Sequence, residues 1–451
     1  HFGQTPNALI SWRAATYDQI VTVSGFGDCV EVSHVDPYGS VTKVRQDGLG
    51  RALETLDADG NITSAEYDSR GNKLSTANPL GHGITCVYDE LNRPTQCTDA
   101  VNEVPSQSYD RASNVISEID AKGNATSIAY DARGRRSQVT DRLSGVTTFQ
   151  YDGNSNLTQV IDEENQVTAY EYDLRGAQTK VTYPDHVPGT SAGDLGYGIV
   201  ETVIDEFRRP LRKVDQQGDT VTLDYDLAGR LLQRDYRTRA NSPSGTVTDS
   251  DQFTYDAAGR MLTATSGRYG NVVSLNYDEA GRKASESLTV GGQSYTTSVG
   301  FDNVGRHSSM TYPSGALVQR TYTNRGQLYE VKDGGSVIDT RTYDLAGRWS
   351  TSTYSSGLVT TRTYRDDNTL ASIDMGTVGV YGYSYDANKN LTAETITGPM
   401  SPWGFSTGTG GYDLENRLTN WSRTDGNKTQ AWTLSLAGDW DSFTENGTAQ
   451  S

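Results

Sequence analysis

Tyr225-Asp226-Leu227-Ala228-Gly229-Arg230 is the stretch on which the reading of this chain turns. It returns almost letter for letter as Tyr255-Asp256-Ala257-Ala258-Gly259-Arg260 and Tyr343-Asp344-Leu345-Ala346-Gly347-Arg348. Looser copies carry Tyr67, Asp68 and Gly71, or Tyr130, Asp131, Gly134 and Arg135, at the same offsets. With the aromatic as position zero, the series runs through Tyr67, Tyr88, Tyr109, Tyr130, Tyr151 and Tyr172. It resumes at Tyr225, Tyr255, Tyr277, Phe301, Tyr322, Tyr343, Tyr364, Tyr385 and Tyr412. Degenerate copies begin at Gln46, Ile204 and Leu434, which makes 18 units, and 11 of the 17 intervals are 21 residues. A register kept that well is a structural repeat, and the repeat decides the architecture.

The offsets have physical meaning. Asp follows the aromatic in 15 of 18 units; four residues after the aromatic stands Gly in 11 units and Asn in 3. Asp opening and Gly closing is the chemistry of a type I turn ended by a left-handed residue. Arg comes next in ten units. It is placed either to lie over a neighbouring ring or to pair with a turn aspartate. Identical offsets would also set tyrosine beside tyrosine along a sheet.

A second turn signal lies about ten residues on, at Asp57/Gly60, Asn78/Gly81, Asp99/Asn102, Asp120/Gly123 and Asp162/Asn165. Each unit therefore reads strand, turn, strand, turn, with strands of about six or seven residues. Alternation supports strands: in Val221-Thr222-Leu223-Asp224-Tyr225 apolar and polar residues take turns. Extra residues enter near Asp185–Tyr197, Arg237–Thr248 and Gly398–Gly411, always at the second turn. One edge is thus tightly specified and the other carries variable loops. The fold class expected is all-β, tandem hairpins in one large sheet. About 36 strands at ~4.8 Å give a contour on the order of 170 Å, too wide to stay flat. Such a sheet should curl into a spiral, a hollow shell or tube.

Composition agrees with a thin wall. Only 34% of the 451 residues are hydrophobic, and the mean hydropathy is -0.62. The net charge of -18 argues against nucleic acid and against anionic lipid. No stretch approaches the roughly 18 apolar residues of a membrane-spanning helix. Three cysteines are too few for a disulfide framework. Cys86 and Cys97 are placed to meet across a hairpin or else to pack as small buried residues, and Cys29 is left over.

The repeated hexapeptide resembles the RHS (rearrangement hotspot) or YD repeat. The resemblance covers residues 45–451, while 1–44 reads as an irregular β segment leading into the first unit. It implies a large β-sheet spiralling into a hollow shell. In bacterial toxin complexes and polymorphic toxins such shells enclose a C-terminal effector; in teneurin-like adhesion proteins the shell is an extracellular scaffold. No RHS core, self-cleavage site or effector is recognisable, so the chain is expected to be a segment of something longer.

No catalytic set stands out. His1, His34, His82, His186 and His307 are scattered, without metal-ligand spacing. Asp57-Ala58-Asp59-Gly60-Asn61 resembles a calcium-loop fragment, but it falls on a second turn and reads as one. Seven candidate N-glycosylation sites occur, at Asn61, Asn124, Asn156, Asn390, Asn420, Asn427 and Asn446. The expectation is a structural, non-enzymatic wall with no cofactor and no metal, exported to the bacterial cell surface or beyond. Its partners would be further copies stacking head to tail into a tube, an enclosed polypeptide cargo, or glycans contacted through Trp403 and Trp421.

Overall fold

A computed structural model describes residues 14–23, 27–35, 41–191, 198–238, 246–408, 410–434 and 440–450. The chain is all-β: 39 strands form an open antiparallel sheet, and the described helices are two short 3-10 turns at Gly376–Val378 and Gly398–Trp403. Each strand pairs with the next in sequence, as Ile62–Tyr67 does with Lys73–Ala77 and Ala125–Tyr130 with Arg136–Thr140. Most strands are five or six residues long, slightly shorter than expected, because the bulged turns take the difference.

The hairpin follows from its turn. At Asp68 the carbonyl accepts the Gly71 N–H (3.1 Å), while the Asp68 N–H bonds the Asn72 carbonyl (2.9 Å). That is a type I turn followed by a left-handed bulge residue, a three-residue hairpin loop. Gly71 sits at φ 93° and Gly134 at 75°, where only glycine carries no Cβ penalty. The conformation persists where glycine does not: Ser113, Ser155, Arg208 and Lys389 occupy the same position with φ of 65–71°. The second turns close identically, with Gly60 N–H on Asp57 and Asp57 N–H on Asn61.

The chain divides into two compact units, 1–106 with 274–361 and 107–273 with 362–451. In the first, the long strands Ala14–Val23 and Gly27–Val35 pair with each other, and the second of them pairs with Val41–Gln46. Here Cys29 and Leu53 are buried against Val21 and Tyr67, beside an ion-paired Glu31. In the second, Ile128, Ala177 and Ile199 are the buried apolar residues among those described. So few buried side chains mark a single-layer sheet. One face carries the half-buried repeat tyrosines. The other is polar and exposed, with cross-strand hydroxyl pairs such as Thr254–Thr263 (2.6 Å) and Thr342–Thr351 (2.6 Å).

Candidate functional site: the turn edges and their seam

Each Tyr-Asp turn is held by its own aspartate. Asp131 Oδ1 accepts the backbone N–H groups of Arg133 (2.8 Å) and Arg135 (3.0 Å), and Arg135 Nε donates to Oδ2 at 2.7 Å. Arg230, Arg260 and Arg348 donate to Asp226, Asp256 and Asp344 at 2.7 Å. Where asparagine replaces arginine the amide does the same, as Asn72 does toward Asp68 at 2.7 Å. The Arg135 side chain, helped by its backbone N–H, holds the Asp131 carboxyl down at about 2.

The same guanidinium also covers the ring of the following unit. Arg135 lies 4.4 Å from the Tyr151 centroid, Arg209 4.7 Å from Tyr225, Arg230 5.0 Å from Tyr255 and Arg282 4.1 Å from Phe301. Both roles open to arginine are therefore filled at once. In these units the group over the repeat ring is the arginine of the preceding turn, where the offsets alone would set tyrosine beside tyrosine. The phenol has a further partner that the repeat pattern did not disclose. Tyr130 donates to the Val115 carbonyl (2.8 Å), Tyr225 to Pro210 (2.9 Å), Tyr343 to Leu328 (2.7 Å), Tyr67 to Ala52 (3.2 Å) and Tyr255 to Leu231 (2.8 Å). Each acceptor opens the returning strand of the preceding unit. The one signal for this was the excess of 27 tyrosines over 8 phenylalanines.

In both units the two kinds of edge meet. In the first unit the second turns of 41–106 face the Tyr-Asp turns of 274–361. Arg306 Nη2 donates to Asp59 Oδ2 (3.0 Å) and Arg348 Nη1 to Glu103 Oε1 (2.7 Å). A cavity of about 440 Å³ lies between Asp57, Asn78 and Pro79 on one side and Arg325, Gln327 and Gly347 on the other. In the second unit Lys122 pairs with Asp367 (2.7 Å), Asn388 donates to Asp141, and Arg417 meets Glu164 (2.9 Å). The hydrogen-bonded partners are 245 to 253 residues apart. The Asp367 side chain is 2% exposed; burial would raise its carboxyl, but Lys122 and Thr369 bring it down to about 2. Asp59, which the calcium-like fragment contains, is thus one half of a seam ion pair.

Cys86 and Cys97 sit opposite each other in register and form a disulfide; Cys29 is buried. The seven sequon asparagines are all hydrogen-bonded, six of them at turns and Asn420 at the start of a strand. Asn61, Asn124, Asn156 and Asn390 donate to the aspartate four residues earlier at 2.8–3.1 Å, and Asn427 bonds Asp425 at 3.0 Å. Asn420 donates to the Gly410 carbonyl (2.9 Å), and Asn446 accepts the Thr429 N–H (2.8 Å). In four of them an asparagine closes the turn and a strand-forming Ser or Thr follows two residues later, so the repeat itself generates the sequon. Trp403 is 57% exposed under the Arg423 guanidinium, while Trp421 packs edge-on to Phe405 and donates to Gln430. Of the inserted loops, 192–197 and 239–245 lie outside the described residues. Among the described residues no His, Cys, Asp and Glu group could hold a metal ion, and no helix is long and apolar enough to cross a membrane.

A single-layer wall of tandem hairpins, joined edge to edge by turn residues, defines the class. The chain has the fold of the RHS shell, and part of its sequence matches the RHS repeat. The RHS Repeat family pattern matches residues 109–147, 130–164 and 151–187. The solved TcdB2-TccC3 structure is similar with a TM-score of 0.63 at 17% identity, over 96% of this chain and 28% of that one. TcdB2-TccC3-Cdc42 gives 0.62 at 17%, over 94% and 27%. The Photorhabdus luminescens Tc holotoxin pore gives 0.58 at 18%, over 92% and 26%. The chain thus spans little more than a quarter of the length of these chains. No curated protein matches the sequence.

Proposed function

We propose that this chain is a stretch of the wall of a protein container: a non-catalytic RHS shell, exported by a bacterium, that encloses a polypeptide. The seam carries this reading. In each unit the second-turn edge of one stretch is roofed by the Tyr-Asp edge of another. That is how a sheet one layer thick becomes a wall more than one strand tall. The likeness to Tc toxin structures supports an enclosed cargo. Cryo-electron microscopy of the native particle, with protease protection of its contents, is the test. A closed particle with internal density is expected; empty walls with all associated polypeptide accessible to protease would overturn the container.

The second reading is head-to-tail self-assembly into a tube. Arg51 and Arg93, on the Tyr-Asp turns of 41–106, favour it, since they repeat the chemistry of the docking edge. Against it stand three of the four second turns of 274–361, Val290-Gly291-Gly292, Tyr312-Pro313-Ser314-Gly315 and Tyr354-Ser355-Ser356-Gly357. They lack the acids that receive arginine at Asp59 and Glu103. Tubes that lengthen with protein concentration would reverse the order of the two readings.

A further inference from the structure

Arg417 carries the heaviest load of any seam cation described in the second unit. Its Nε donates to Asp413 Oδ2 (2.6 Å), Nη1 meets Glu415 Oε2 (2.8 Å), and Nη2 meets Glu164 Oε2 across the seam (2.9 Å). Asp162, also across the seam, contacts Glu415 directly. Three carboxyl groups therefore share one guanidinium, and a fourth stands against one of the three. At Arg306 and Arg348, by contrast, a single acid faces each arginine from the opposite edge, alongside its own turn aspartate.

Glu415 Oε1 is buried and no donor reaches it, although Asp162 lies beside it. Two ionised carboxylates at contact distance repel, and a buried acceptor without a donor is costly. One proton between them removes both problems. We propose that Asp162 and Glu415 form a proton latch: a single shared proton closes this part of the seam, and its loss lets the two edges part. The proposal concerns how the wall opens and does not depend on what it encloses.

The charged groups around Glu415 are Asp162 and Glu164 from the second turn, and Asp413 and Arg417 from its own turn. Glu163 is held elsewhere, by Thr147 Oγ1 at 2.6 Å. Burial first, and Asp162 second, push the Glu415 carboxyl up to about 8 against the pull of Arg417. The sign follows. The closed seam binds a proton that the open seam releases above the ordinary glutamate range. Closure is therefore fully favoured at acid pH, weakens as pH rises, and has lost this contribution once pH passes about 8. One proton corresponds to roughly a tenfold change in the closed-to-open ratio per pH unit.

The test uses spin labels on L143C and L414C, two exposed positions on opposite sides of the seam. Their distance distribution is read by double electron–electron resonance at pH 6, 7, 8 and 9. A short, narrow distribution is expected at pH 6, with a long component growing about tenfold per unit toward pH 8. Glu415→Gln supplies a permanent neutral donor and should stay short through pH 9; Asp162→Asn supplies it from the other side and should do the same. A wild-type distribution unchanged from pH 6 to 9 would overturn the latch. So would variants that track the wild type, with circular dichroism confirming that the sheet is intact.

Discussion

The repeat tyrosine is chosen for its oxygen as much as for its ring. A phenylalanine would give the arginine its aromatic surface, as Phe301 does under Arg282 at 4.1 Å. It would not satisfy the carbonyl that opens the preceding unit's returning strand. Tyr130→Phe and Tyr225→Phe should each cost about 1 kcal/mol, the usual net worth of one hydrogen bond, read as a lowered denaturant midpoint with unchanged slope. A loss no larger than that of an exposed Tyr269→Phe would show the hydroxyl to be idle. The opposite change is available at the bulge. Ser155 holds φ 71° in a position that eleven units fill with glycine. Ser155→Gly should stabilise by about 1 kcal/mol, the left-handed penalty less glycine's entropy cost; a neutral or lowered midpoint would mean that the turn is already unstrained.

At the scale of the hairpin, one carboxylate organises a whole turn, and this sets how the fold responds to acid. Asp89 and Asp131 are both held below the usual carboxylate range, in each case first by the arginine side chain four residues on. A depressed folded value means that the unfolded chain takes up the proton first. The stabilisation is thus complete above the ordinary aspartate range and is lost as pH falls toward about 2. Unfolding midpoints should therefore drop between about pH 4 and 2, and Asp131→Asn should lower the midpoint at pH 7 while flattening that acid limb. An unchanged acid limb would place the sensitivity in other carboxylates. This local chemistry is why the hairpins could be read from the sequence: Asp, Gly and Arg act within five residues of one another. The phenol's acceptor lies 15 residues back in most units, in another hairpin, and no local pattern marks a carbonyl. Arginine's double role was hidden for a similar reason. Composition presents the ring and the carboxylate as alternatives, whereas a planar group with several donors serves both.

Across the whole molecule, what the sequence conceals is which turn meets which. A repeat with the same residues at the same offsets makes the units equivalent on paper, and the seam partners are 245 to 253 residues apart. In hindsight the acids that receive arginine across the seam, Asp59, Glu103 and Glu164, all lie on second turns before residue 170, whereas later second turns such as Val290-Gly291-Gly292 and Tyr354-Ser355-Ser356-Gly357 carry none. The repeat thus carries a second code over its first: one set of residues folds each hairpin, and another sets which hairpins dock. The Lys122–Asp367 pair isolates that second code, because Lys122 is not an aromatic-turn residue and Asp367 is nearly inaccessible. Lys122→Met strands a buried carboxylate and should cost about 2 kcal/mol or more. Adding Asp367→Asn removes the stranded charge and should recover most of the loss, a coupling that a double-mutant cycle measures directly. If the two substitutions simply add, the pair does not hold the edges together. If they couple, then the seam is a bonded joint, and its charges determine how the wall is laid.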